Sequence, residues 1–167
     1  MNRIDPQKEA RVWERVKGAQ MESSSPEAGI QNLLANEWAS ASAYLQIARQ
    51  MSSREAAILQ RLAREEQTHA ACLKGIFALI TGERPAVQAV PPPRETPALA
   101  LRRCYGAEMR SLKEYESRSQ DPEYGPVFAR LAEQEREHCR TVLELLGSLH
   151  QNPSKVARLS EKKCRAG

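Results

Sequence analysis

Four stretches of the chain carry apolar residues at alternating steps of three and four, which is the pattern of an amphipathic α-helix packed along one seam. The first stretch opens with Ser25-Pro26, a cap-then-proline signal, and the second lies between Ser53 and Gly82. The seam of the first stretch comprises Ile30, Leu34, Glu37, Ala41, Tyr44 and Ala48. The seam of the second comprises Leu59, Leu62, Glu66, His69, Leu73, Ile76 and Ile80.

The second half of the chain repeats this layout. Thr96-Pro97 caps a third helix, and Asp121-Pro122 starts the turn into a fourth, with Gly125-Pro126 able to delay its regular part. The third seam comprises Leu101, Tyr105, Glu108, Leu112 and Tyr115, and the fourth comprises Phe128, Leu131, Glu135, His138, Val142, Leu145 and Leu149. The pattern predicts an all-α protein whose last helix fades near Asn152.

A proline-rich segment separates the two helical hairpins. Residues 83–97 contain five prolines, so they cannot be helical throughout. In a polyproline-like conformation they could span roughly 45 Å at ~3.1 Å per residue. The second helix is roughly 42 Å long at ~1.5 Å per residue. The segment can therefore return along a whole helix and leave the second and third helices parallel; the alternative is a flexible linker. We prefer the crossover, because neither hairpin could bury its seam alone.

The two ends of the chain differ from the bundle predicted for residues 26–152. Within residues 1–25, Asp5-Pro6 and Gly18 bound a short amphipathic helix, which we interpret as an arm that packs on the bundle or on a partner subunit. Residues 153–167 are basic and poor in apolar residues, so we expect a mobile tail.

Charge and composition narrow the class of protein. The formal net charge is +4 with both signs interleaved, and no aromatic-rich basic stripe occurs, so we expect a solvated helical surface and no nucleic-acid partner. No apolar run approaches ~18 residues, so we expect no membrane span. The N-terminus lacks an apolar signal core, and a cytoplasmic location is expected.

The cysteines indicate a reducing compartment and no cysteine-ligated metal site. The four cysteines form no C-x-x-C pair, which argues against a zinc ribbon or a rubredoxin-type iron site. Reduced thiols are the default in a cytosol. Cys72 and Cys104 fall on predicted core stripes, where we interpret them as small apolar filler.

Six polar residues interrupt the four seams, and they follow an internal repeat. Residues 61–69 and 130–138 both read R-L-A-x-x-E-x-x-H, at an offset of 69. The offset between Glu37 and Glu108 is 71, as it is between Tyr44 and Tyr115. Each hairpin thus supplies E-x6-Y on its first helix and E-x-x-H on its second. With 19 Glu in 167 residues, a given His has about an 11 % chance of a Glu three residues before it, so the repeated context matters more than the spacing alone.

The positions of these residues predict one shared site. In antiparallel helices Glu37 lies level with Glu66 and His69, and the second hairpin gives a similar match. Buried carboxylates cost several kcal/mol each unless they are paired or coordinated. Two divalent metals would balance four Glu, and oxygen-rich ligation with imidazole suits iron or manganese. The predicted ligands are Glu37, Glu66, His69, Glu108, Glu135 and His138, a set that resembles the ligand pattern of ferritin-like di-iron bundles.

The chain resembles the ferritin-like superfamily, and rubrerythrins most closely, over roughly residues 27–150. The resemblance lies in Glu37-Trp-Ala-Ser-Ala-Ser-Ala-Tyr44, Glu66-Gln-Thr-His69 and Glu135-Arg-Glu-His138. It implies a ferritin-like four-helix bundle with an oxo- or hydroxo-bridged di-iron centre, in which Glu66 and Glu135 bridge both irons. Glu37 with His69, and Glu108 with His138, would complete each iron. Tyr44 and Tyr115 would donate hydrogen bonds to carboxylates.

The resemblance implies a redox function. The chain departs from the rubrerythrin pattern in two ways that concern this function. Rubrerythrins usually carry a rubredoxin-like domain, for which this chain has no cysteine pattern, and an additional third-helix Glu where this chain has Ser111. We expect an oxidoreductase, a homodimer, that reacts with hydrogen peroxide or dioxygen in oxidative-stress defence and receives electrons from an external donor protein. The alternatives are a ferroxidase that stores or delivers iron, and a helical interaction module with a structural metal site.

Overall fold

The computed structural model describes residues 26–87 and 90–151. These ranges contain four α-helices and no strand: α1 (Pro26–Ala48), α2 (Ser53–Thr81), α3 (Pro97–Arg118) and α4 (Gly125–Gln151). The predicted all-α class is confirmed. The predicted arm over residues 1–25 and the tail over 153–167 lie outside the described residues. Within the part described, no helix combines the length and apolar character needed to cross a membrane.

Local side-chain chemistry sets several helix ends. At the start of α2 the backbone N–H of Ser52 donates to Glu55 Oε2 at 3.2 Å, as in a capping box. α2 stops at Gly82, whose φ of +73° is left-handed and suits glycine. Thr96 Oγ1 accepts the N–H of Leu99 at the start of α3, where Pro97 is the first helical residue.

The turn into α4 delays that helix to Gly125, the later of the two starts that the sequence allowed. Asp121 Oδ1 accepts the backbone N–H groups of Glu123 and Tyr124, which holds residues 121–124 in a turn. A Cβ at position 125 would lie 2.6 Å from the carbonyl oxygen of Ser119. The close approach of the two chain segments therefore requires glycine at this position.

Each short connection reverses the chain, and the four helices share two apolar clusters. One cluster joins the end of α1 and the start of α2 to the start of α3 and the end of α4, and it includes Ile47, Leu62, Leu101 and Val142. The other joins the opposite ends of the same helices and includes Ile30, Leu73, Leu112 and Phe128. α1 and α2 are therefore antiparallel, as are α3 and α4, while α2 and α3 run parallel.

The proline-rich connection lies alongside α1. Gln31 Nε2 donates to the carbonyl of Ala86 at 2.9 Å, and Gln46 Nε2 donates to the carbonyl of Pro93 at 2.7 Å. The two glutamines are 15 residues apart on α1, which is ~22 Å at ~1.5 Å per residue. The described parts of the connection thus lie against both ends of α1, with Ala86 near its start and Pro93 near its end, and residues 94–96 lead into α3.

Two residues of the α2 stripe are less buried than predicted. Cys104 is buried on α3 as expected, but Cys72 is exposed and Ile80 is 39 % exposed. The buried face of α2 steps from His69 to Leu73, and Cys72 lies about 100° around the helix from Leu73. Ile80 follows Phe77, the last buried residue of α2, in the final turn. The predictions for Cys72 and Ile80 are wrong.

Candidate metal centre

The six seam residues predicted as metal ligands meet between the two apolar clusters. Each helix contributes through its buried face: α1 and α3 supply one carboxylate each, and α2 and α4 supply a carboxylate and an imidazole one turn apart. All six side chains are at most 2 % exposed: Glu37, Glu66, His69, Glu108, Glu135 and His138. Burial of four carboxylates in the middle of the bundle costs free energy unless they are paired or coordinated.

His69 turns Nδ1 toward three carboxylates. The distances are 2.8 Å to Glu135 Oε1, 3.4 Å to Glu37 Oε2 and 3.5 Å to Glu66 Oε2. The nearest oxygen belongs to α4 of the other hairpin. The next belongs to α1, and the third to the residue one turn earlier on α2 itself. The imidazole of α2 therefore lies close to carboxylates of both hairpins.

His138 repeats this arrangement from α4. Its Nδ1 is 2.8 Å from Glu66 Oε1, 3.6 Å from Glu108 Oε2 and 3.7 Å from Glu135 Oε2. The two imidazole rings stack with centroids 5.3 Å apart and planes 18° from parallel. The internal sequence repeat thus becomes a near two-fold arrangement, in which each hairpin presents the same donors to a shared centre.

The distances between the ligand atoms of these residues, and the lack of hydrogen bonds to them, fit a metal site. Both carboxylate oxygens of Glu66 and of Glu135, and Nδ1 of both histidines, make no well-formed hydrogen bond despite their burial. Donor atoms of Glu66, His69, Glu135 and His138 lie within 4.8 Å of one another. Two ligand atoms each ~2.1 Å from one ion, at a right angle, lie ~3.0 Å apart. The buried Glu/His cluster can therefore hold metal, and unsatisfied donors of this kind are what a metal ion would satisfy.

Two tyrosines fix the outer carboxylates across the hairpins. Tyr44 on α1 donates its hydroxyl to Glu108 Oε1 at 2.6 Å, and Tyr115 on α3 donates to Glu37 Oε1 at 2.7 Å. Ser111 Oγ also donates to Glu37 Oε1, at 3.3 Å. Burial and the neighbouring carboxylates raise the pKa of both tyrosines, so both stay protonated as donors.

Electrostatics distinguish the two inner carboxylates, Glu66 and Glu135, from Glu108. Burial raises the pKa of Glu66 well above its usual range and that of Glu135 to about 8. Burial also opposes ionisation of Glu108, but the adjacent Glu135 and His138 and the hydroxyl of Tyr44 outweigh it and lower its pKa to about 2. Burial disfavours the charged form of His69, yet the carboxylates of Glu135, Glu37 and Glu66 raise its pKa to about 12. Without metal, protons therefore neutralise the cluster.

One contact of the site was not predicted from the sequence. Glu65 Oε2 lies 3.1 Å from His138 Nε2, on the side of the imidazole that faces away from the cluster. In the sequence Glu65 falls outside the α2 seam, at a position typical of a solvated charge. The one sequence signal is that an acidic residue directly precedes the E-x-x-H motif of α2. Only the packing of α4 against α2 shows that Glu65 contacts His138.

Replacing Tyr44 by Phe should weaken the metal-free fold by roughly 1.5–3 kcal/mol, because Glu108 loses a charge-assisted hydrogen bond while remaining buried. Urea unfolding of the metal-free protein measures the change. Tyr105→Phe on the same helix as Glu108 is the matched control, since Tyr105 is only half-buried. Equal losses in both variants would contradict a specific bond between Tyr44 and Glu108.

Comparison of the chain with protein-family models, with curated proteins and with solved structures gave no match. Function is therefore inferred from the residues of the cluster, their distances and their burial.

Proposed function

We propose that residues 26–151 form a ferritin-like four-helix bundle whose buried cluster holds two iron ions, with manganese as the alternative, and reduces hydrogen peroxide or dioxygen. The observation that carries the proposal is the set of ligand atoms: four carboxylates and two imidazole nitrogens converge from four helices, and within the part of the chain described the carboxylates of Glu66 and Glu135 have no hydrogen-bond partner. Two divalent ions match the charge of four carboxylates, and neutral imidazole completes each ion.

The distances support a division between bridging and terminal ligands. Glu66 places Oε1 near His138 and Oε2 near His69, and Glu135 places Oε1 near His69 and Oε2 near His138. Each inner carboxylate thus reaches both histidines, as a ligand shared by two ions would. Glu37 approaches only His69, and Glu108 approaches only His138. Glu66 and Glu135 would therefore hold both ions, and Glu37 and Glu108 would each hold one.

When bound, two ferrous ions would supply the two electrons that, with two protons, convert one hydrogen peroxide to two waters. The residues of the chain would hold the ions and keep proton donors beside the carboxylates. The hydroxyls of Tyr44 and Tyr115 keep their protons within hydrogen-bonding distance of Glu108 and Glu37. The burial of all six ligands limits the access of bulk water. Because the cysteines form no C-x-x-C pair, we assign the return of electrons to a separate donor protein.

Stopped-flow mixing of the anaerobic di-ferrous protein with peroxide, and separately with dioxygen, tests this proposal. We expect oxidation of two irons per chain at a rate that depends on the oxidant concentration and is lost in Glu66→Ala. Glu133→Ala is the matched control, because its side chain is 68 % exposed on α4. The faster oxidant identifies the substrate.

Other outcomes would replace the proposal by one of its alternatives. Uptake that continues well beyond two irons per chain would favour storage. A protein that binds two irons but reacts no faster than the Glu66→Ala variant would favour a structural site.

A further inference from the structure

The two histidines of the cluster differ on the side that faces away from it. The repeat offset of 69 places Glu65, one residue before Glu66, opposite Gln134, one residue before Glu135. One half of the repeat therefore carries a carboxylate where the other carries a neutral amide. The ligands themselves, which lie one residue further on, are identical in the two halves.

The histidine on α4 is held from outside. Glu65 Oε2 lies 3.1 Å from His138 Nε2, and Glu65 Oε1 accepts a hydrogen bond from Arg61 Nη1 at 2.9 Å. A carboxylate can only accept, so Nε2 of His138 must carry the hydrogen and donate it. When the imidazole is neutral, its lone pair is then on Nδ1, which faces Glu66, Glu108 and Glu135. The ring is thus oriented and in the tautomer that a metal ligand needs.

In the described part of the chain, the histidine on α2 has no such support. His69 is 1 % exposed, and among the described residues its Nε2 has no hydrogen-bond partner. The half-buried Gln134, which occupies the repeat position of Glu65, supplies no such bond. Among residues 26–87 and 90–151, nothing outside the cluster therefore selects the tautomer of His69 or holds its ring, and part of the metal-binding free energy must be spent on ordering it.

We propose that Glu65 is a positioning residue that makes the two metal positions inequivalent: the position formed by His138 and Glu108 fills first and binds more tightly than the one formed by His69 and Glu37. This inference rests on the proposed di-metal site. An outer carboxylate on a ligating histidine typically changes metal affinity by 10–100-fold, and we expect a difference of about that size between the positions.

The decisive measurement is which position fills first. Repulsion between two bound cations would by itself split a binding isotherm, so two steps alone do not establish the inference. Zn²⁺ is added to metal-free protein with ¹⁵N-labelled histidine, and the imidazole nitrogen signals are followed by NMR. Signals are assigned through His69→Gln and His138→Gln. With the first equivalent of Zn²⁺ we expect the Nδ1 signal of His138 to shift, and that of His69 only with the second. Co²⁺ titration followed by visible absorption gives the two affinities.

The repeat offers matched variants. Glu65→Gln should weaken the first step by about 10–100-fold and bring the two affinities together. The exchange variant Glu65→Gln with Gln134→Glu should reverse the order, so that His69 responds first. Glu137→Gln controls for loss of a surface charge on α4, where its side chain is 59 % exposed, and should leave the order unchanged.

The outcomes separate this inference from the function on which it rests. If both histidines respond together in the native protein, or if the exchange variant keeps the native order, the inference is overturned while the two-metal site stands. If neither Zn²⁺ nor Co²⁺ binds at the cluster, the proposed function itself fails. Glu65 is 31 % exposed, so these variants should fold, and circular dichroism confirms it.

Discussion

Replacing Glu66 and Glu135 together by Gln is expected to weaken metal binding by at least about 100-fold, while the metal-free protein stays folded. Loss of an outer hydrogen-bond partner alone costs 10–100-fold in metal affinity, and this variant removes two direct ligand charges of four. In the metal-free state burial raises the pKa of both carboxyls, that of Glu135 to about 8, and so favours their protonated forms. Glutamine has nearly the same shape as a protonated glutamic acid. The exchange therefore removes the metal site without placing a new kind of group in the core.

Two measurements check this expectation. Metal per chain, determined after incubation with excess Fe²⁺ and desalting, should fall from two to near zero. The free energy of unfolding of the metal-free variant at pH 7 should lie within about 1 kcal/mol of the native protein or above it. Glu133→Gln with Glu137→Gln is the matched control, since both side chains are exposed on the same helix as Glu135 and surface ion pairs contribute little. Retention of two tightly bound metals in the Glu66 and Glu135 variant would show that these residues are not the shared ligands.

The cluster is costly to the fold unless it is occupied. Within the described residues, eight buried side-chain nitrogen and oxygen atoms make no hydrogen bond, and seven of them belong to Glu66, His69, Glu135 and His138. Unsatisfied buried polar atoms cost about 1–3 kcal/mol each. Apolar residues of similar volume would serve the packing of a helical bundle better. A bound metal, as proposed, would offset this cost by satisfying these buried atoms.

The sequence was sufficient for the fold class and for the composition of the cluster, because both depend on periodicity. The steps of three and four locate the seams, and the repeated R-L-A-x-x-E-x-x-H places Glu66 with His69 and Glu135 with His138 on the buried faces. Contacts that depend on how two helices sit against each other could not be predicted in this way. The pairing of Glu65 with His138 joins residues 73 apart, and the burial pattern that excludes Cys72 depends on the face that α2 turns to its neighbours.

The metal-free protein should lose stability as the pH rises from about 5 to 8, by several kcal/mol. The folded-state pKa of Glu135 is raised from 4.5 to about 8, and that of His69 from 6.5 to about 12. A raised pKa contributes stability that is fully present below the unfolded-state value and is lost as the pH rises through the folded-state value. For Glu135 this contribution is on the order of a few kcal/mol. Glu108 acts in the opposite sense, because its pKa is lowered to about 2, and its contribution is lost only as the pH falls below 4.5.

Urea unfolding of the chelator-treated protein at a series of pH values measures this dependence. In the metal-loaded protein the cations replace the protons, and their apparent affinity increases with pH as proton competition declines. Its stability should therefore not fall over the same range, and the two curves should separate as the pH rises. The Glu66→Gln, Glu135→Gln variant should show a weaker dependence without metal, because two of the titrating groups are gone. Parallel curves for the metal-free and metal-loaded protein would mean that protons do not occupy the site that the metals take.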